Sequence, residues 1–171
     1  MIYMLIALAV IVALAAIVLV VGYLLPVKHV ASVRAVLNCS VEPLWQRLIS
    51  FTEYPSWRRN IAQVTPASAG TWKEVDKQGD AVLYETVELL PQQRLVRRIA
   101  SKDLPFGGTW TIELAPVGPK QTQVNISEAG EVYNPIFRFV STFITGRHGS
   151  MSAFVEDLAR IEGGTTQIEK C

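Results

Sequence analysis

Few side chains in this sequence have the type and spacing to do chemistry, and the sharpest of them is the carboxylate of Glu128. Val124, Ile126 and Glu128 fall on one face of a strand by its two-residue period. If the apolar pair faces an interior, so does the carboxylate, and a buried carboxylate takes a partner or a proton. Arg97 or Arg98, on a neighbouring predicted strand, would supply the partner. Tyr84 or Tyr133 would complete a general acid–base set. The plainer alternative is a strand that ends before Glu128 and leaves the group in water.

Other candidates are open in the same way. Glu131 and Tyr133 precede a predicted helix, where they could meet the polar head of a ligand; equally, Glu131 could simply favour the positive end of the helix dipole. Trp45, Tyr54, Trp57, Phe106 and Trp110 suit a core or the wall of a cavity. Arg58-Arg59, beside Trp57, could touch anionic lipid headgroups or sit in a solvated turn.

Several chemistries are excluded by pattern. His29 and His148 are the only histidines, and neither lies in a metal-ligand spacing. Ser150 and Asp157 share a predicted helix with His148, but residues at i, i+2 and i+9 do not converge as a triad. Gly107-Gly108 leads into a strand rather than a helix, so it is no phosphate loop. No cofactor is expected. Sixteen Lys+Arg against 15 Asp+Glu give no electrostatic reason to expect nucleic acid as a partner.

The elements that must position these residues are legible. No charged side chain precedes Lys28. Residues 1–27 read as a transmembrane anchor, long enough as a helix to cross a ~30 Å hydrocarbon core. Tyr3 and Tyr23 stand at its ends, and Pro26 stops it. A cleaved signal peptide fits less well, because a basic leader is missing and the apolar run is too long. Lys28 and Arg34 follow the span while no basic residue precedes it. A single-pass protein in an inner or cytoplasmic membrane, with its domain in the cytoplasm, is therefore expected.

After a first strand from His29 to Leu37, Ser40 caps a short amphipathic helix bearing Leu44, Trp45, Leu48 and Ile49. Six strands follow: 61–65, 71–76, 81–89, 94–99, 109–114 and 122–129. Their turns, such as Lys77-Gln-Gly-Asp80 and Gly118-Pro119-Lys120, mark an antiparallel meander. Asn134-Pro135 opens a long helix running to about Glu162, with Gly146 and Gly149 as a kink or close approach. Residues 163–171 read as a flexible tail ending in a fraying Cys171. Cys39 reads as a buried free thiol.

This order, with Val41-Glu-Pro-Leu-Trp-Gln-Arg-Leu and Phe51-Thr-Glu-Tyr-Pro-Ser-Trp57 inside it, resembles the START-like (SRPBCC) superfamily and its polyketide cyclase/dehydrase-like branch. Trp45, Tyr54, Pro55 and Trp57 match the family pattern; Ser50 stands where an Asp is usual. Leu104-Pro-Phe-Gly-Gly-Thr-Trp-Thr and the segment from Glu128 to Phe139 resemble a membrane-anchored bacterial subgroup. The resemblance covers roughly residues 28–162. It implies an α+β helix-grip fold, a curved antiparallel sheet around a long C-terminal helix that encloses an apolar cavity. Members bind lipids, polyketides, sterols and quinones, and only some are enzymes.

The cavity set implied for this chain begins with Trp45, Tyr54, Trp57, Tyr84 and Arg97. Phe106, Trp110, Glu128, Glu131, Tyr133 and Phe137 complete it. The resulting expectation is a membrane-anchored, non-catalytic module that holds a hydrophobic or lipid-like small molecule. A cyclase/dehydratase-type enzyme using Glu128 and a cavity tyrosine is the first alternative. A membrane-protein assembly or interaction factor is the second. Fold analogy alone does not choose among them.

Overall fold

The computed structural model describes residues 1–163 and 167–171. The charge-free N-terminus forms α1 (Ile2–Leu24), about 35 Å long at ~1.5 Å per residue. Its length and apolar composition suffice to cross a membrane. Pro26 follows, and β1 (Lys28–Leu37) begins immediately. Alternate residues Ala31, Val33, Ala35 and Leu37 of β1 are buried, the period-two signature of a sheet with one face on a core.

Next come α2 (Val41–Ile49), a 3-10 turn at Phe51–Glu53, and α3 (Tyr54–Trp57). Leu44, Trp45 and Leu48 form the buried stripe of α2. The meander is β2 (Ile61–Ser68), β3 (Thr71–Asp76), β4 (Ala81–Leu90), β5 (Arg94–Ile99), β6 (Phe106–Gly118) and β7 (Gln121–Val132). Two helices, α4 (Pro135–Phe143) and α5 (Gly149–Glu162), and a short β8 (Glu169–Lys170) complete the chain. The strands make one antiparallel sheet in the order β2-β3-β4-β5-β6-β7-β1-β8. The curved sheet grips α5, whose Met151, Phe154, Val155 and Leu158 join the inner face of the sheet and the stripe of α2 in one core. This is the expected α+β architecture.

Two expectations are corrected. The long C-terminal helix is broken. Ile144 to His148 separate α4 from α5, and Gly146 there adopts φ +74, a left-handed conformation that ends helices and suits glycine. Asn134 does cap α4, accepting from the Ile136 and Phe137 amides at 2.9 and 3.3 Å.

The end of the chain is also held. Glu169–Lys170 pair with β1 at Arg34 and Val33, and the Cys171 amide and carbonyl bond Ser32. Without β8 the outer side of β1 would be an open row of donors and acceptors, which the tail satisfies. Within that tail, residues 164–166 lie outside the described residues. Cys39 is a buried free thiol, and burial, with the Glu162 carboxylate nearby, pushes its pKa up to about 11.

Candidate functional site

The sheet, α5 and the α4–α5 link enclose a cavity of about 490 Å³, within the range that holds a small organic ligand. Its wall is mostly apolar: Trp72, Tyr84, Ile99, Phe106, Trp110 and Phe154 from the sheet and α5, with Phe137 from α4. Trp110 and Phe154 meet edge to face with centroids 5.8 Å apart, an arrangement favoured by the ring quadrupoles.

Glu128 lines this cavity, as the parity with Val124 and Ile126 requires. Its partner is not an arginine. Glu128 Oε2 accepts from Trp110 Nε1 at 2.8 Å, and Oε1 lies 3.4 Å from His29 Nε2. Register explains this. Trp110 and Ala31 are the direct cross-strand neighbours of Glu128, and His29 is two residues from Ala31 on the same face. Its ring crosses side-chain-free Gly130, its own partner. Arg97 pairs with Trp110 on the far side, so it is two strands from Glu128, roughly 10 Å at ~4.8 Å per strand. Arg98 points the other way and bonds Glu85. The side chains of Glu128 and His29 are 19% and 8% exposed, so the pair is enclosed but reachable from the cavity.

The opposite end of the cavity holds a second polar group that the sequence reading missed. Glu74, on β3, is buried. It accepts from Trp72 Nε1 at 2.9 Å and from an Arg58 terminal nitrogen at 2.6 Å. A buried carboxylate of this kind needs its ion pair and its further hydrogen bond to offset desolvation. The Arg58 guanidinium also lies 5.2 Å from the ring centres of Tyr54 and Phe154. Arg97 lies 5.2 Å from Tyr54 and Trp72 and donates to the Leu48 carbonyl. Trp72 stacks between Phe51 and Tyr84, at 4.8 and 5.7 Å. Burial, then the Glu74 carboxylate, raises the pKa of Tyr84 far above its ordinary range, so this phenol stays protonated at neutral pH.

The structure therefore divides the predicted set. Tyr84, Arg97, Phe106, Trp110, Glu128, Glu131 and Phe137 line the cavity. Trp45, Tyr54 and Trp57 belong to the core beneath it. The Tyr54 hydroxyl donates to the Leu48 carbonyl at 2.7 Å, and burial raises its pKa. Tyr133 is 51% exposed and donates to Glu131 Oε2 at 2.7 Å. That bond, joined by Lys28 at 3.4 Å, holds the Glu131 carboxyl below the usual range. Arg58 and Arg59 are not a free basic pair. Arg58 turns inward to Glu74, and Arg59 ties α3 to α5 by donating to the buried Asp157 at 2.5 Å. Among the described residues, His, Cys, Asp and Glu form no cluster able to hold a metal.

No curated protein matches this chain in sequence. Its fold is shared by solved structures of low identity. A conserved protein from Geobacillus kaustophilus superposes with a TM-score of 0.69 at 13% identity, covering 82% of this chain and 99% of that one. A START superfamily protein from Mycobacterium smegmatis gives 0.63 at 14% identity, over 78% and 97%. Norcoclaurine synthase from Thalictrum flavum gives 0.62 at 13%, over 79% and 86%. These likenesses establish the fold. Residues 28–161 match the family described as polyketide cyclase / dehydrase and lipid transport, and by that match over most of its length the chain belongs to this family.

Proposed function

We propose that this protein is a single-pass membrane-anchored module that holds an apolar or amphipathic small molecule between its sheet and α5, with the domain on the cytoplasmic side. The observation that carries the reading is the cavity itself: largely apolar, walled by aromatic rings, with polar groups only at fixed points. Such a lining favours a hydrophobic body by removing its surface from water and uses the few polar groups for orientation. Family membership and the START-like fold support a ligand-binding module. The charge-free α1 supports placement at a bilayer, where apolar molecules concentrate.

The experiment is photolabelling of the full chain in phospholipid nanodiscs with a diazirine-bearing long-chain fatty acid. The reading expects labelled peptides to include Ile99, Trp110 or Phe154 of the cavity as well as α1. Labelling confined to α1 and other lipid-facing surface would contradict it.

A second reading rests on one observation, the enclosed Glu128–His29 pair. A carboxylate beside an imidazole in an apolar cavity is equipment for proton transfer. If the module turns its ligand over, this pair, rather than Glu128 with a tyrosine, is where the proton moves.

A further inference from the structure

Helix α4 is apolar on a face that the protein does not cover. Ile136, Phe143 and, at its C-cap, Ile144 are 46%, 60% and 70% exposed. At about 100° per residue, α4 presents three distinct faces. Pro135 and Arg138 face α1. Phe137 and Ser141 face the cavity, which continues along Thr145, Gly146 and Arg147. Between them lies the stripe Ile136, Val140, Phe143, Ile144, which carries no charge.

The contact with α1 fixes where this stripe lies. Gly22 is the buried residue of α1, and a Cβ there would overlap the Pro135 carbonyl, so the two backbones touch. The half-buried Val18 and Val21 carry the contact back along α1. Arg138, buried on α4, donates to the Leu25 carbonyl at 2.7 Å and the Tyr23 carbonyl at 3.4 Å. These are carbonyls at the helix end that lack intrahelical donors, at the negative pole of the dipole. The only basic side chain of α4 is thus turned to the end of α1 and away from the uncovered stripe.

We infer that α4 is a second membrane element: its Ile136–Val140–Phe143–Ile144 stripe is immersed in the bilayer beside the last turns of α1. The mouth of the cavity at Phe137, Thr145 and Arg147 therefore opens onto lipid, and the ligand enters from the bilayer rather than from water. The occupant of the stripe is lipid because the surface is continuous with the flank of α1 and shares its lack of charge. The inference rests on the proposed anchoring and adds to it the source of the ligand.

The test uses full-length protein in vesicles of phosphatidylcholine and phosphatidylglycerol. Cys171 is replaced by serine, and an NBD fluorophore is placed singly through Phe143→Cys, Ile144→Cys, Leu14→Cys or Lys120→Cys. The inference expects blue-shifted emission, quenched by acyl-chain doxyl lipid, at 143 and 144 as at 14, and water-like emission at the Lys120 hairpin. Labels at 143 and 144 that behave like 120 while 14 is quenched would overturn the inference and leave the anchor standing. An unquenched label at 14 would overturn both. Labels at 143 and 144 shielded from aqueous iodide but untouched by doxyl lipid would mean that protein covers the stripe, which also overturns it.

Discussion

Helices α4 and α5 are neighbours in sequence, both amphipathic, separated by the five residues Ile144 to His148, and they meet opposite fates. In α5 the apolar positions Met151, Phe154, Val155 and Leu158 are buried in the grip of the sheet. In α4 the apolar positions Ile136, Phe137 and Phe143 stay open, and the buried residue is an arginine. An apolar stripe thus specifies burial but not what buries it. The inner face of the sheet is filled by α5 together with the stripe of α2, and α4 lies outside that core. The left-handed Gly146 turns the chain so that α4 can lie against α1 instead, and the cavity opens between the two.

Truncating one ring on each helix should separate the two most. Phe154→Ala removes a ring that touches Trp57, Tyr54 and Trp110; it should cost about 3–5 kcal/mol. Phe143→Ala, in detergent micelles, should stay within about 0.5 kcal/mol. Thermal or urea melts of the two full-length variants check this. Equal losses would mean that α4 is packed as a core helix.

A smaller effect is expected from pH. Tyr84, facing α5 across the cavity, and Tyr133, before α4, both have raised pKa values, the first by burial and the second by its bond to Glu131. A group whose folded pKa is raised contributes stability below its unfolded value, about 10 for tyrosine. That contribution declines as pH rises through 10 toward the folded value. Melts between pH 9 and 11 should show the wild type losing up to about 1 kcal/mol per pH unit through such a phenol. Tyr84→Phe should remove much of that loss, Tyr54 retaining a share. Tyr133→Phe, at an exposed and solvent-screened site, should remove a smaller part of it. An unchanged profile in Tyr84→Phe would show that its phenol is hydrated.

How far the sequence could be read follows from the range of each interaction. Strands announce themselves locally, by alternation such as Ala31, Val33, Ala35, Leu37 and by turns such as Lys77 to Asp80; all six middle strands were legible. The facing of Glu128 was legible too, because parity is local. Its partner was not, because choosing His29 over Arg97 needs the register of three strands. His29 shares parity with Ala31 and Val33, a signal that its nearness to the anchor obscured. Likewise Trp72 and Glu74 share a face by period two, so a carboxylate beside a tryptophan was visible. Its pairing with Arg58, from a different element, was not. Trp45, Tyr54 and Trp57 are family landmarks that serve the core, so a motif pointed to the fold and away from the ligand. Gly146 was legible as an interruption, but that it separates two helices depends on the long-range contacts that bury α5 in the core and set α4 against α1.

On this reading the cavity holds a molecule taken from the membrane. Native mass spectrometry of full-length protein released from nanodiscs tests it most directly, with Ile99→Trp, which fills the cavity from its wall, as the paired variant. The expected result is a small molecule retained one-to-one by the wild type and absent from Ile99→Trp, with both variants equally folded and equally membrane-bound. Wild type and variant carrying the same complement of lipid, or none in either, would contradict it.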